Sequence, residues 1–194
     1  VGIMQDASRR LTRIVDDLFL LARSDAGHLV VHRAPIHLED VVDDTTRGMR
    51  PLADTRRVRL AFTNVVEAPV DGDADLLGRL LLNLMDNAIK HSPAGGLVSV
   101  SMTLVDHRIQ VDVGDEGPGI PPDARERVFE RFFRLDAART REETSHTSGA
   151  GLGLAIARRI AEAHDGALAL AESRPGRTTF RLTLPLRLRD SQRG

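Results

Sequence analysis

Two amides and an ammonium share one face of a single amphipathic stretch. Asn83, Asn87 and Lys90 follow one another at spacings of four and three within RLLLNLMDNAIKHSP, residues 79–93. Residues at i, i+4 and i+7 project from the same side of an α-helix. An amide oxygen is a hard ligand for Mg²⁺, which takes few ligands from protein and the rest from phosphates and water, and an ammonium meets phosphate as a point charge. The face therefore suits a cation-bridged phosphate chain; taken alone it is also the polar seam of a capped amphipathic helix. Lys90 is the only lysine among 27 Lys and Arg residues. An ammonium kept where guanidinium is the rule favours a ligand role, because the two groups are not interchangeable at a phosphate.

Two further stretches carry chemistry of their own. In DEGPG, residues 115–119, Asp115 directly follows a strand-like run, and Gly117 and Gly119 permit a turn that other residues resist. A carboxylate fixed there can accept a hydrogen bond from the exocyclic amine of adenine, whereas guanine presents a carbonyl at that place and is rejected. Seen alone, the pentapeptide reads first as a tight turn with a solvated Asp. GAGLGLAI, residues 149–156, sets small residues at a helix start, where unpaired amides and the positive dipole end favour phosphate. It is neither a GxGxxG fingerprint after a strand nor a P-loop, which needs GK followed by Ser or Thr.

The elements that must hold these residues are legible from periodicity. Leu76, Leu77, Leu80, Leu81, Leu84, Met85, Ala88 and Ile89 recur at three-and-four spacing, a buried helix face, with Asp73 as N-cap after a turn at 71–73 and with Ser92, Pro93, Gly95 and Gly96 as the stop. Upstream, 4–24 reads as a long helix with a heptad-like seam of Leu11, Ile14, Val15, Leu18, Leu21 and Ala22, which must pack on the following domain or on helices from elsewhere. A connector at 25–35 has room for a short strand at 29–32; a second amphipathic helix spans 36–50, and a β-rich run at 58–66 is closed by Pro69. Downstream come a hairpin of 97–104 with 107–113, a rigid loop at 115–122, and a short helix at 124–134 carrying Phe129, Phe132 and Phe133. A polar loop over 135–148, an apolar helix ending at His164, and a last hairpin of 167–171 with 178–184 complete the chain before a charged tail.

Composition narrows the field. The chain has 194 residues, enough for one domain with a proper core and one extra element, with 41% hydrophobic and 28% charged residues. A net charge of −1 gives no nucleic-acid footprint, and the absence of cysteine excludes disulfides, thiol nucleophiles and thiolate zinc sites. No apolar run is long enough to span a bilayer and no signal peptide is present, so direct membrane contact is not expected. The chain opens at Val1 without a Met, as a processed, excised or partial chain does.

In order and spacing, NLMDNAIKHSP, DEGPGI, FERFFR and GAGLGLAI resemble the N, G1, F and G2 boxes of the sensor histidine kinases of two-component signalling. The resemblance covers 1–187 and implies an α/β (α+β) fold shared with gyrase and chaperone ATPases: a two-layer sandwich of a mixed sheet covered on one face by helices, preceded by one long bundle helix. It divides the chain into a remnant of the dimerisation and phosphoacceptor domain at 1–24, a linker at 25–36, an ATP-binding catalytic domain at 37–187 and a tail at 188–194. Its cofactors are ATP and Mg²⁺. By position, Asn87 would hold the metal, with Asn83 and Lys90 nearby on the phosphates and Arg134 approaching the γ-phosphate, these last three serving catalysis. His91 would lie beside the adenine or its ribose, Asp115 would read the adenine amine, and Gly117, Gly119, Ile120 and Phe133 would belong to the nucleotide pocket. Gly149, Gly151, Leu152 and Gly153 would hinge the lid and cradle the phosphates.

The implied partners are the parent's dimerisation domain, in a homodimer, and the receiver domain of a response regulator; the implied location is cytoplasmic, the parent being anchored in a bacterial inner membrane. None of the seven histidines stands in the His, acidic, x, basic, Ser/Thr, Pro context of a phosphoacceptor. Two other readings follow from the same boxes. A hydrolytic ATPase of the superfamily commonly places a Glu one turn before the metal-binding Asn, where this chain has the neutral Asn83. A nucleotide-binding regulatory module would keep the site without catalysis.

Overall fold

The computed structural model describes residues 2–135 and 150–187. Helix α1 (Gly2–Asp25) leads into strand β1 (Ala34–His37), helix α2 (Leu38–Thr55), strands β2 (Arg59–Thr63) and β3 (Pro69–Gly72), and helix α3 (Ala74–His91). Strands β4 (Leu97–Val105) and β5 (Arg108–Asp115) follow, then helix α4 (Gly153–Ala163) and strands β6 (Ala167–Arg174) and β7 (Arg177–Pro185). The main sheet has the order β2-β4-β5-β7-β6, parallel between β2 and β4 and antiparallel elsewhere; β1 and β3 form a separate antiparallel pair. Alternation along β4, β5 and β7 sends Val98, Val100, Met102, Ile109, Val111, Val113, Phe180, Leu182 and Leu184 to one face, where all are buried. The helices cover that face with Leu77, Leu80, Leu81, Leu84, Ile156 and Ile160. The opposite face carries Ser99, Ser101, Gln110, Asp112 and Arg181, with Asp112 and Arg181 in a two-bonded ion pair at 2.7 Å. The expected two-layer sandwich with helices on one face is thus present.

Four local expectations need correction. No α-helix spans 124–134: Pro121 and Pro122 open a single 3₁₀ turn (Pro122–Ala124), a second follows (Arg127–Phe129), and Glu130 turns extended while Phe132 adopts a left-handed φ of 63°. The turn read at 71–73 is mostly strand β3, whose Pro69 is tolerated because a two-stranded ladder has open edges. No strand forms at 29–32; the pairing starts at Ala34, inside the stretch assigned to the linker. Helix α2 runs on through Pro51 to Thr55, whose hydroxyl donates to the Pro51 carbonyl at 2.8 Å.

The heptad seam of α1 is divided. Leu21 is buried and Ile14 half-buried where α1 meets α4, whereas Leu11, Val15 and Leu18 remain exposed. Charged contacts complete the junction: Asp17 with Arg79 on α3, Asp25 with both Arg131 and Arg159, and Arg33 with Asp165.

One buried node fixes the start of α3. Asp73 caps the helix, accepting the Leu76 N–H at 3.1 Å through one oxygen and the His32 N–H at 3.0 Å through the other. Its own N–H donates to His164 Nε2 at 3.0 Å, so the imidazole proton sits on Nδ1 and reaches the Ile160 carbonyl at 2.8 Å. Burial holds this imidazole below its ordinary value of 6.5. Only the neutral ring can accept from Asp73, so the node contributes stability in full above that value and loses it as pH falls through the lowered one. His164→Ala is expected to cost about 2 kcal/mol at pH 8 in urea unfolding, from the cavity and the orphaned N–H, and less at pH 5.

Candidate functional site

Helix α3 presents Asn83, Asn87 and Lys90 on a polar edge beside its buried stripe, as the spacing required. At its C-terminal end the β5 strand delivers Asp115, 4% exposed, and the chain then turns so tightly that a Cβ at Gly117 would lie 2.8 Å from the His91 carbonyl oxygen. The Asp115 carboxylate accepts the Gly117 N–H at 2.8 Å, its only hydrogen bond among the described residues. Burial therefore dominates over that bond and pushes the carboxyl up to about 6. A buried, half-satisfied carboxylate is expensive to keep and is what a site reading an amine needs.

The loop is held by the last hairpin. The Gly176 N–H donates to the Gly117 carbonyl at 2.8 Å, the Ile120 N–H donates to Ser173 Oγ at 2.7 Å, and a Cβ at Gly119 would meet the Arg174 backbone at 2.7 Å. Register also sets Thr178 directly opposite Asp115, on the same face and buried. Thr178 lies 63 positions along the chain from Asp115 and belongs to none of the four boxes, so only strand pairing finds it.

At the other end, the start of α4 comes against Asn83: a Cβ at Gly153 would be 3.5 Å from Asn83 Oδ1. Leu152 is buried beneath it, and the Phe132 N–H donates to the Gly151 carbonyl at 2.8 Å, joining the FERFFR segment to this loop. Phe133 is half-buried with the Arg127 guanidinium 4.5 Å above its ring. One of the expected residues, Arg134, is not brought in. Arg134 is exposed and makes no hydrogen bond or ion pair among the described residues, and Gly149 lies outside them. Lys90 is present on the face but engaged, its ammonium paired with Asp86 one turn earlier.

Do these residues suit a nucleotide and its cation? Two buried donors along α3, Asn83 Nδ2 and Ser92 Oγ, have no hydrogen-bond partner among the described residues. Buried polar groups are rarely left unpaired, so a ligand rich in acceptors answers them. No group of three or more His, Asp or Glu gathers as a metal site among the described residues, whereas the half-buried Asn87 offers a hard amide oxygen beside the phosphate-facing donors. The set suits a cation that draws most of its ligands from phosphate. A cleft of about 470 Å³ between α1 and α4 is a different place: its Arg131, Arg158 and Arg159 are balanced by Asp25 and Glu162. Among the described residues no helix is long and apolar enough to cross a membrane.

Comparison with known proteins agrees with this geometry. The family described as histidine kinase-, DNA gyrase B-, and HSP90-like ATPase matches residues 72–188. The signal transduction histidine-protein kinase/phosphatase MprB of Mycolicibacterium smegmatis is 44% identical over 168 residues, 86% of this chain and 32% of the relative. The signal transduction histidine-protein kinase BaeS of Escherichia coli strain K12 is 34% identical over 193 residues, 100% of this chain and 40% of the relative. Among solved structures, full-length ShkA in complex with AMPPNP superposes with a TM-score of 0.83 at 28% identity, over 97% of this chain and 38% of that one. The chain thus spans about a third to two-fifths of the length of these curated relatives. Its boxes, its sheet and these relatives together place the chain in the histidine kinase-, DNA gyrase B- and HSP90-like ATPase family, as a sensor histidine kinase member carrying the ATP-binding catalytic domain.

Proposed function

We propose that this chain binds Mg·ATP along α3 and passes the γ-phosphoryl group to a histidine supplied from outside these 194 residues, for relay to the receiver domain of a response regulator. The observation that carries the reading is the pairing of a buried carboxylate, Asp115, at one end of α3 with an unpartnered buried donor, Asn83 Nδ2, against the start of α4 at the other. One end suits a purine amine and the other suits phosphate. In this reading Asp115 selects adenine, aided by Thr178; Gly117, Gly119, Ile120, Phe133 and His91 bound the base and sugar. Asn83, Lys90 and the Gly151–Leu152–Gly153 turn hold the phosphates, and Arg134 swings to the γ-phosphate. Asn87 would hold Mg²⁺, which when bound spreads the charge that develops on the departing ADP.

Catalysis of this kind is positioning and charge stabilisation, with little covalent work for the protein. Hydrolysis is the weaker reading: the place of a water-activating carboxylate is taken by Asn83, and the nearby Asp86 is engaged by Lys90. The reading places the chain in the cytoplasm beside its ATP, with the first helix joining a dimeric bundle in the parent kinase.

Titration with Mg·ATP is expected to give saturable binding that exceeds binding of Mg·GTP, and Asn87→Ala is expected to weaken it about tenfold or more, by analogy with the loss of any metal-anchoring ligand. With γ-labelled ATP, a separately supplied phosphoacceptor domain should acquire acid-labile phosphate while this chain does not label itself. Absence of nucleotide binding by the native chain, or acid-labile self-labelling, would overturn the respective parts of the proposal.

A further inference from the structure

Asp86 lies on α3 one turn before Lys90, about 100° round the helix from Asn87, and holds no part of the nucleotide in the reading above. Its carboxylate pairs with Lys90 four residues later, both side chains being about one-third exposed (33% and 29%). The pair carries no net charge. Asn83 and Asn87 are neutral, so the face that meets the phosphates presents no net positive charge from α3 itself. A polyphosphate arriving without its cation would meet a carboxylate one residue from Asn87 and an ammonium already satisfied. The same polyphosphate with its cation brings the missing positive charge, which the Asp86 carboxylate attracts rather than repels.

We propose that Asp86 makes the site selective for the metal-bound nucleotide, by neutralising Lys90 and disfavouring metal-free polyphosphate. Asp86 acts through charge and through Lys90 and touches no reacting atom, so it is a specificity-determining residue. The inference rests on the nucleotide reading of the α3 face. It differs from the requirement for a metal ligand, because it assigns the discrimination to a residue that need not touch the metal.

The test is the ratio of ATP affinities with Mg²⁺ and with a chelator in its place, measured by calorimetry on the full chain. Asp86→Asn is expected to shrink that ratio roughly fivefold or more, mainly by tightening metal-free ATP, since one nearby carboxylate charge is removed and the ammonium released. Lys90→Gln is expected to widen it by leaving Asp86 uncompensated, and this second variant keeps the test open if the first folds poorly. An unchanged ratio in both variants overturns the proposal, as does a ratio that shrinks only because Mg·ATP binds more weakly, the result expected of a direct metal ligand. If the wild-type chain binds no ATP under either condition, it is the nucleotide reading that fails.

Discussion

Asp115→Asn is expected to remove adenine recognition and, at the same time, to make the nucleotide-free protein more stable at neutral pH. The two effects come from one cause. The wild-type carboxyl is raised from 3.8 to about 6 by burial, a difference of about 2 units, or roughly 3 kcal/mol at 1.36 kcal/mol per unit. An acid whose folded value is raised gives stability that is complete below 3.8 and lost as pH climbs through about 6. At pH 8 the folded protein therefore carries a buried charge that the unfolded chain would keep in water. An Asn side chain has nearly the same shape, and its Oδ1 can still accept the Gly117 N–H. Its outward group then becomes an amide NH₂ facing the exocyclic amine of adenine, donor against donor, and affinity for ATP should fall about a hundredfold or more. Thermal melts should show the variant above wild type at pH 8, by a margin that narrows at pH 4.5 and closes only below 3.8, and the preference for ATP over GTP should shrink. A variant that melts like wild type at both pH values would mean that Asp115 is not a desolvated carboxylate.

The second large effect is expected at Gly119. Its φ is +81°, and a Cβ there would stand 2.7 Å from the Arg174 carbonyl carbon and 2.8 Å from its oxygen. Both obstacles are backbone, which cannot rotate away. Gly119→Ala should therefore lose about 2–4 kcal/mol in urea unfolding, from left-handed strain and collision together. Nucleotide binding should fall further than stability accounts for, because the displaced loop takes with it the Gly117 and Ile120 contacts to the last hairpin. Gly95→Ala separates the two terms: its φ is +84°, but an added Cβ meets open space, so about 1 kcal/mol of backbone strain is all that is expected. Equal losses at the two positions would show that the loop can retreat from β6 and β7 without penalty.

Much of this fold is written in local patterns. Helix α3 is legible because seven buried apolar residues keep one face and Asp73 caps it; the β4–β5 pair is legible because Val98, Val100 and Met102 alternate with Ser99, Ser101 and Thr103. The misread stretches are those where tertiary demands outweigh local preference. Pro51 looks like the end of α2, yet the buried Ala53 carries the helix another turn. Gly72 looks like a turn residue, but it pairs with Ala34 at the end of β3, and glycine is needed there because a Cβ would press on Leu77 Cδ1 at 2.8 Å. The short helix expected at 124–134 gives way to turns, which Pro121 and Pro122 before it and the left-handed Phe132 within it impose.

The site divides in the same way. Asn83, Asn87, Asp115 and the glycines are candidates that the sequence itself offers, because residue type and spacing announce their chemistry. Thr178 could not be found without the β5–β7 register, and the orphaned Ser92 Oγ is known only from burial. The Asp86–Lys90 pair is different. Its i, i+4 spacing is itself the signal, because a carboxylate and an ammonium one helical turn apart lie within reach of each other.

A chain with one lysine is also its own chemical probe. Reagents that modify amines have, besides the N-terminus, a single target in these 194 residues, and that target sits on the face assigned to phosphate. The extent of modification at Lys90, read by the mass of one peptide, thus reports how often the ammonium leaves Asp86 and whether anything covers it. Occupancy of the site becomes a footprint at one atom, obtained from the native sequence without introducing any label.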